Sequence, residues 1–569
     1  MDNNGNLELS WINKDKSLYF EIDRKESRGK TPIWVPRNSL EVSEPRIFRV
    51  RERVGDPDEE NMLIKGDNLL SLITLVQIFN VKEPYERVKA IYIDPPFNIG
   101  KAFEDYPDNL EHSQWLTMMR DRLILLKNLL RPDGVIFIHI NDIEEHYLRV
   151  LMDQIFGRSN FINRITVKTK SPSGFKVVNL GVFETAEYIL VYGKEKKNVK
   201  MKTLYVEDEY DTNYKYLILN KYEDPENWEI VDMQEHLAKE MGFKSKRDAR
   251  NSVGKSLFKE KIADYALENA QKVFRYTEIN EDAGKETLEL GEKSLQNNKI
   301  YVLNRENHQP RYIQRGHEIT FYSKKVKELR GKKVPVTLLT NIWTDIPYEG
   351  IAKEGNVKFK QSKKPEALVK RILELSTDPG DVVLDSFLGS GTTAAVAHKM
   401  RRKWIGIELG DHAESKCLMR LKSVVLGEDQ TGVSKECQWK GGGGFTFYEI
   451  GPSILKAEDI NWSILYKEIG ESVFLNFGYP GIKEILGTEP FFCLSERHRE
   501  IAICLISKES IIINKEDLDK IIEQIESNYS DYESVEIYTN LGIPIYLEDL
   551  PFGYQLRKIP EHILKKYGL

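Results

Sequence analysis

The chain has 569 residues, too many for one ordinary domain, and its composition of 40% apolar and 30% charged residues is that of a globular protein. Its net charge of −6 does not by itself indicate a nucleic-acid-binding protein. The charge is uneven, because residues 451–569 carry 20 acidic and 12 basic side chains, a balance of −8, which leaves about +2 for residues 1–450. A basic surface is therefore expected before residue 451 rather than after it.

Nothing in the sequence indicates a metal scaffold, export or a membrane anchor. No apolar run approaches the 18 residues of a membrane span, and residues 1–4 are polar and acidic, unlike a signal peptide. The cysteines form no CxxC pair, which argues against structural zinc and disulfides and favours a reducing compartment; they are Cys417, Cys437, Cys493 and Cys504. We expect a cytoplasmic protein with no metal and no membrane segment.

The chain begins with a predicted leader and the first elements of a core. Residues 1–60 are expected to form short strands packed on that core. Asp67 or Asn68 should cap a helix, because apolar residues follow at helical spacing. The apolar run that follows predicts a buried strand at 90–94.

The next elements predict a parallel α/β sheet. Ser113 is expected to cap a helix that stops at the turn residues 131–134. A second helix is predicted at 144–156. Strands are predicted at 135–140, 161–169 and 186–192. Alternating strands and helices are typical of this fold class, so residues 61–194 are assigned to one half of a core.

Residues 195–340 break this pattern and are predicted to be an inserted domain, in which polar and aromatic residues mix without a long period. Within it, residues 241–275 are rich in basic and aromatic side chains. Two interpretations stay open: a solvated helix face over a small core, or a nucleic-acid surface. The candidate DNA contacts are Lys244, Lys246, Arg247, Arg250 and Lys255.

The α/β pattern returns in residues 341–451, the second half of the core. Lys364 and Pro365 should open a helix. Strands are predicted at 382–384, 404–409 and 445–450, with a helix at 392–400. Residues 452–569 are expected to form a separate acidic α+β module, with strands near 501–506, 510–514 and 535–538 and a helix near 515–527.

The strand at 90–94 runs into Asp94-Pro95-Pro96-Phe97. Prolines donate no N–H and fix their own φ, so the chain leaves the sheet stiffly and holds Asp94 and Phe97 at its rim. A carboxylate, a carbonyl and a ring face suit a planar molecule that bears an exocyclic amine, such as a nucleobase. Alone, this motif is more typical of an ordinary strand end.

A second motif, Asp385-Ser386-Phe387-Leu388-Gly389-Ser390-Gly391-Thr392-Thr393, follows a predicted strand and opens a helix. Its glycines allow a ligand to approach the backbone closely. Glu408 ends the next strand and could bind the hydroxyls of a ribose. NAD would also fit such a loop, but Asp385 would repel a pyrophosphate and attract the ammonium of an amino acid. Adenosine joined to an amino acid describes S-adenosylmethionine.

Together these motifs resemble the N6-adenine amino-group DNA methyltransferases whose catalytic motif precedes the cofactor loop. More narrowly, four segments resemble the modification subunits of type III restriction systems: IYIDPPFNIG at 91–100, RPDGVIFIHI at 131–140, EYILVYGK at 187–194 and KKPEALVKRI at 363–372. The resemblance covers about 60–194 and 340–450. It implies a Rossmann-like, doubly wound α/β fold with a target-recognition domain at 195–340; residues 452–569 match no family segment.

The resemblance also implies roles for residues. Asp94 and Pro95 would accept hydrogen bonds from the amine of a flipped-out adenine, and Phe97, which replaces the usual Tyr beside Pro96, would stack on its ring. Asp385 would hold the methionine ammonium, Lys364 the carboxylate and Glu408 the ribose. The remaining cofactor contacts would come from Asp67, Phe387, Gly389, Gly391 and Thr392.

The implied partners are S-adenosylmethionine, double-stranded DNA and a second copy of the chain, with a separate restriction or helicase subunit left open. Aspartate at position 94 favours adenine over cytosine-N4 as the target. Three further alternatives remain. The substrate could be RNA or a protein amide, or the chain could be a recognition subunit whose own activity is weak.

Overall fold

The computed structural model describes residues 8–21, 31–98, 101–102, 107–108, 110–171, 182–306, 308–329, 331–348, 350–357, 363–456, 459–488, 490–509, 512–513, 515–529, 531–542 and 550–566. Two compact units emerge, one of residues 1–202 with 341–569 and one of residues 203–340. Among the described residues, every helix is too short or too polar to cross a lipid bilayer.

A ten-stranded sheet forms the centre of the first unit. Its strands, in spatial order, are Ile342–Trp343, Phe161–Lys168, Ala186–Gly193, Leu130–Ile140, Val88–Ile93, Val382–Asp385, Lys403–Glu408, Met62–Lys65, Gly444–Ile450 and Phe48–Gly55. The middle six, from Leu130–Ile140 to Gly444–Ile450, are parallel. Parallel strands have their carboxyl ends at one edge, so residues that follow these strands lie at that edge of the sheet.

Helices cover this sheet and bury its apolar side chains. They are Leu40–Ser43, Asn68–Asn80, His112–Leu129, Asp142–Phe156, Glu366–Ser376, Thr392–Lys399 and Met419–Val425, the last preceded by a π-helical turn at Ala413–Leu418. Ile91, Ile93 and Ile138 of the central strands pack with Leu116 and Leu123 of the helix His112–Leu129, all at most 1% exposed. This packing holds the ends of the central strands rigidly in place.

Most of the strands and helices predicted for this unit are confirmed, with four differences. Residues 131–134, expected as a turn, belong to the strand Leu130–Ile140, which begins directly after the helix His112–Leu129. The parallel sheet is extended by antiparallel strands, because Ala186–Gly193 pairs antiparallel with both of its neighbours. Ser113 does not cap a helix, since the helix already begins at His112. Part of residues 1–60 belongs to the sheet itself, because Phe48–Gly55 pairs with Gly444–Ile450 as an edge strand. Lys16–Glu21 and Thr31–Pro36 form a separate antiparallel pair.

The described residues of the second unit form two sheets and four α-helices. The six-stranded sheet comprises, in spatial order, Ile230–Asp232, Tyr216–Ile218, Val273–Glu278, His317–Phe321, His308–Gln314 and Tyr301–Arg305. The three-stranded sheet comprises Tyr205–Glu207, Lys332–Leu338 and Val326–Leu329, and the helices are Met233–Glu240, Lys246–Val253, Lys255–Glu268 and Lys285–Asn297. Several strands have only three residues, too few to produce a visible sequence period.

The C-terminal part of the first unit has a five-stranded sheet of its own: Glu484–Thr488, Phe491–Arg497, Glu500–Ile506, Ser534–Thr539 and Tyr554–Lys558. Its helices are Tyr466–Asn476, Lys515–Asn528 and Glu561–Lys566. The predicted strand at 510–514 lies mostly outside the described residues, where only an isolated bridge between Ile512 and Gly542 is seen. Arg49 ties this part to the large sheet through an ion pair with Glu468 (Nε to Oε1 2.6 Å).

Candidate active site

Four carboxylates lie at the carboxyl ends of four strands of the large sheet. Asp94 follows Val88–Ile93, and Asp67 follows Met62–Lys65; Asp385 and Glu408 are the last residues of their own strands. All four line one cleft, together with the basic side chains of Arg122 and Lys364. A cleft with more acidic than basic groups favours a cationic ligand.

A tryptophan side chain fixes the backbone that follows Asp94. The indole Nε1 of the fully buried Trp115 donates a hydrogen bond to the carbonyl oxygen of Pro96 at 2.8 Å. The half-buried ring of Phe97 packs against the large core. This contact fixes the backbone that the two prolines stiffen, so the Asp94 carboxyl is preorganised.

Lys364 lies between two carboxylates. Its Nζ is 3.2 Å from Asp94 Oδ1 and 3.0 Å from Glu187 Oε2, and it lies 4.6 Å from the centroid of the Phe97 ring. His139, fully buried, brings its Nε2 to 2.8 Å from Glu187 Oε2 and its Nδ1 to 3.0 Å from the Tyr92 hydroxyl. We call Asp94, Lys364, Glu187 and His139 the cleft cluster.

The two carboxylates of the cleft cluster differ in their protonation chemistry. Burial raises the pKa of Asp94, although the Lys364 ammonium opposes the shift. Burial also acts on Glu187, but Lys364 and His139 outweigh it and hold the pKa of Glu187 below its ordinary value. Burial opposes the charge on Lys364, and the two carboxylates raise its pKa in spite of that. Glu187 is therefore well compensated in its charged form by Lys364 and His139, whereas the charged form of Asp94 is less well compensated.

Asp385 anchors the glycine-containing loop. Its Oδ1 accepts a hydrogen bond from the Phe387 amide at 2.9 Å, and its Oδ2 accepts one from the Thr393 hydroxyl at 2.6 Å. Burial raises the pKa of Asp385 to about 7. Because the charged form is poorly compensated, a cation that enters the cleft would stabilise it.

Glu408 folds back over the same loop. Its Oε2 accepts from the Gly389 amide at 2.7 Å and its Oε1 from the Leu409 amide at 2.8 Å. Gly391 has φ of +79° at the start of the helix Thr392–Lys399, a conformation that favours glycine. The loop thus turns sharply between Asp385 and Glu408 and leaves both acids at the cleft.

Asp67 is a helix cap, one of its two predicted roles. Its Oδ1 accepts from the amides of Leu69 and Leu70, at 2.7 and 3.2 Å. Its Oδ2 lies 3.5 Å from Arg122 Nη2. The cap leaves Asp67 at the cleft wall, so the cofactor contact predicted for it remains a prediction.

A second group of charges lies behind the cofactor loop. Lys399 Nζ lies 3.0 Å from Glu366 Oε2 and 2.8 Å from Asp429 Oδ2, and Arg420 Nη2 lies 2.6 Å from Glu366 Oε1. All four side chains are 0% exposed. We call them the sealed cluster. Arg420 also donates to the Ser390 carbonyl at 3.1 Å and the Thr392 hydroxyl at 2.9 Å, so this cluster holds the loop in shape.

Three residues of the site were not singled out from the sequence: Glu187, His139 and Tyr348. Glu187 and His139 lie within segments that carry the family resemblance, but no spacing connects them to Lys364. Tyr348 has a buried hydroxyl with no hydrogen-bond partner among the described residues. Burial raises the pKa of Tyr348, and the nearby charges of Glu187 and Asp94 act in the same direction.

The basic run of the second unit forms two helices separated by Gly254. Phe258, Ile262 and Ala266 face a small core, as the solvated-helix interpretation expects. Lys246 Nζ lies 3.1 Å from Asp232 and 3.8 Å from Glu235, so its charge is already balanced. The other candidates are exposed, namely Lys244, Arg247, Arg250 and Lys255, and their contact with DNA remains a prediction.

Comparison with known proteins agrees with this chemistry. The family model described as DNA methylase matches residues 88–416. The chain is 36% identical, over 74% of its length, to the probable type III restriction-modification enzyme HindVI Mod subunit of Haemophilus influenzae, of which it covers 58%. It is 26% identical, over 59% of its length, to the type III StyLTI Mod subunit of Salmonella typhimurium, of which it covers 49%.

The chain thus spans about half the length of these curated relatives. Among solved structures, the M1.HpyAVI–SAM complex is similar at 14% identity and a TM-score of 0.28, over 63% of this chain and 99% of that one. No group of three or more side chains suited to a metal ion occurs in the part of the chain that the structure describes.

Proposed function

Because the chain belongs to the DNA methylase family, we propose that it transfers a methyl group from S-adenosylmethionine to the N6 amine of an adenine flipped out of double-stranded DNA. The observation that carries the proposal is the position of Asp94. Its carboxyl lies at a rigid strand end, in the same cleft as the acidic loop of Asp385 and Glu408. This arrangement supports the proposal, since an acceptor for the target amine and a loop for a cationic methyl donor would then lie side by side.

The Asp94 carboxylate and the Pro95 carbonyl oxygen would accept hydrogen bonds from the two N–H groups of the target amine. These hydrogen bonds draw electron density to the nitrogen and turn its lone pair towards the incoming methyl group. Alignment for in-line attack is then the main catalytic contribution. The ring of Phe97 would stack on the extrahelical base, for which a π face without a hydroxyl is sufficient.

Lys364 would act on Asp94 rather than on the cofactor carboxylate. Its ammonium is already shared between Asp94 and Glu187, at 3.2 and 3.0 Å. It would orient Asp94 and keep it ionised against the desolvation that raises its pKa. Glu187 would keep Lys364 from closing completely on Asp94, which leaves the carboxyl able to accept from the amine.

The chemistry of the cleft fits S-adenosylmethionine. When bound, this cofactor supplies an electrophilic methyl group on a sulfonium. Asp385, whose buried carboxyl has no cationic partner among the described residues, would hold the ammonium. Glu408 would take the ribose hydroxyls and Asp67 the adenine edge. The backbone path would be lined by Phe387, Gly389, Gly391 and Thr392.

The chain would work as the modification subunit of a restriction-modification or related phage-defence system, because several of its curated relatives, among them the HindVI and StyLTI proteins, are Mod subunits. Residues 195–340 would read the DNA target, and residues 452–569 would add an acidic α+β module to the first unit. A second copy of the chain and a separate subunit for cleavage would complete the assembly.

The test is nucleoside analysis of methylated DNA. The full chain is incubated with S-adenosylmethionine, labelled on its methyl group, and unmethylated genomic DNA, with RNA as a control substrate. The digest should contain labelled N6-methyladenine. Labelled N4-methylcytosine instead would overturn the choice of adenine. Label in RNA alone, or in no nucleoside, would contradict the proposed function as a whole.

A further inference from the structure

The six-stranded sheet of the second unit has two different faces. One face packs on helices, because Leu217 and Val273 share a small core with Phe258 and Ile262 of Lys255–Glu268. Side chains alternate along a strand, so the neighbours of Leu217 and Val273 point to the opposite face. That face carries aromatic rings on several adjacent strands.

Strand register places these rings side by side. Tyr216 pairs with Phe274, and Phe274 pairs with Phe321, so the three rings cross three strands on one face. The rings of Tyr216 and Phe274 are stacked, with centroids 5.5 Å apart, and Tyr276 lies 5.1 Å from Tyr216. We call this surface the ring face. These rings pack with Ile218, Ile300 and Ile319 as a second small core, in which Phe274 is 0% exposed. Tyr216, Tyr276 and Phe321 are half-buried against that core, so their rings remain partly open to solvent.

Lys221 is held by a cage of three rings at one side of the ring face. Its Nζ is 4.2 Å from the centroid of Trp228, 4.8 Å from Tyr312 and 4.1 Å from Phe321. Burial lowers the pKa of Lys221. Among the described residues no ion pair of this half-buried ammonium is found, and burial alone accounts for the lowered pKa. The rings fix its position and leave its N–H donors available for an anion.

Two further cations lie over the ring face. Lys215 Nζ is 5.6 Å from the ring centroid of Tyr216, and Arg315 Cζ is 5.9 Å from that of Tyr276. By contrast, Lys246 of the helical basic run is balanced by Asp232. Cations interleaved with half-open rings suit a nucleic-acid strand, because phosphates pair with the cations while bases or sugars contact the rings.

We infer that the ring face, and Lys221 in particular, is the surface through which this unit contacts DNA, with the Lys221 ammonium on a backbone phosphate. This inference rests on the proposed function, which makes DNA the substrate. It names a surface that is distinct from the basic helices at 246–268. A phosphate contact strengthens binding to every sequence alike and contributes to its salt dependence.

Lys221→Met tests the contact, because methionine keeps an apolar stem in the cage and removes only the charge. Binding of the full chain to a labelled DNA duplex is measured over a series of salt concentrations. The variant should bind more weakly, and the slope of log affinity against log salt should become shallower by about one. Lys261→Met is the matched control: Lys261 is exposed on the helical side, and its removal should leave the slope unchanged.

The outcomes distinguish failure of this inference from failure of the proposed function. Wild-type affinity and slope in Lys221→Met would overturn the inference, as would a loss confined to Lys261→Met. A purely structural role of Lys221 would lower thermal stability without changing the salt slope, and that too would overturn it. Recovery of the slope by Lys221→Arg would support it. Failure of the wild-type chain to bind or methylate any DNA would instead count against the proposed function itself.

Discussion

The cleft cluster and the sealed cluster lie in the same unit, yet they differ in charge balance and exposure. The sealed cluster has two cations and two anions, all 0% exposed. In the cleft cluster Lys364, 11% exposed, faces Asp94 and Glu187, which are 19% and 16% exposed. The sealed cluster is neutral and closed, whereas the cleft cluster has one more carboxylate than ammonium group and lies at the cleft. A buried cluster whose charges cancel can stabilise the fold, whereas a partly buried cluster with a net charge can bind a ligand of opposite charge.

The largest expected effect comes from opening the sealed cluster. Lys399→Met removes the cation that pairs with both Glu366 and Asp429, and Arg420 remains beside Glu366. Breaking a buried ion pair costs about 3–5 kcal/mol of unfolding free energy. Urea denaturation of the full chain measures the loss. Lys403→Met is the matched control, because Lys403, 44% exposed, pairs with Glu60 at 2.9 Å on the surface. It should cost less than about 1 kcal/mol; equal losses in the two variants would refute the structural role of the sealed cluster.

Asp385 should make the stability of the ligand-free protein depend on pH. Its pKa of about 7 is raised by burial above the ordinary carboxyl value, so the folded chain binds more protons than the unfolded chain between about pH 4 and 7. The free energy of unfolding should therefore fall as pH rises through this window, by up to ~4 kcal/mol. Asp385→Asn should remove this part of the slope. Parallel pH profiles of the two proteins in urea would contradict it.

Glu187→Gln sharpens the roles within the cleft cluster. Lys364 would lose one of its two counter-ions and move closer to Asp94, which then accepts less well from the target amine. A hydrogen bond to a charged group contributes about 1.5–3 kcal/mol, so single-turnover methyl transfer should slow by roughly 10- to 100-fold. Cofactor binding should be nearly unchanged. Glu195→Gln is the matched control, because Glu195 lies just beyond the same strand with its side chain 46% exposed, and it should have the wild-type rate.

The smallest effect is expected at Tyr348. Its hydroxyl is buried without a partner among the described residues, so Tyr348→Phe removes a group whose desolvation is not repaid. Unfolding free energy should stay the same or rise by about 1 kcal/mol. A thermal melt is sufficient for the comparison. A clear loss of stability would mean that the hydroxyl has a partner in the folded chain.

The acidic edge of the sheet was predictable because local signals coincide there. Asp94, Asp385 and Glu408 each end a run of apolar residues; two prolines follow Asp94 at once, and Gly389 and Gly391 follow Asp385 within the next turn of the chain. Parallel strands then bring these ends together without further information.

The partners of Lys364 were not predictable in the same way. Glu187 is 177 residues away and lies on an antiparallel strand, so only the tertiary fold brings it to Lys364. Lys364 was expected at the cofactor carboxylate, and its contact with Asp94 could not be deduced from the helix that it precedes. The ring face was missed because Tyr216–Ile218 and Ile230–Asp232 have three residues each, so no alternation is visible.

Methyl transfer by Asp94→Asn tests the central claim most directly. Asparagine keeps the shape of the side chain, but it removes the charge and one acceptor for the amine. Single-turnover transfer to unmethylated DNA is compared with the wild type, and cofactor affinity is measured on the same samples. We expect transfer to fall by at least about 100-fold, with cofactor affinity within a few fold of wild type. Transfer at the wild-type rate, with the cofactor still bound, would contradict the assignment of Asp94 as the residue that accepts a hydrogen bond from the target amine.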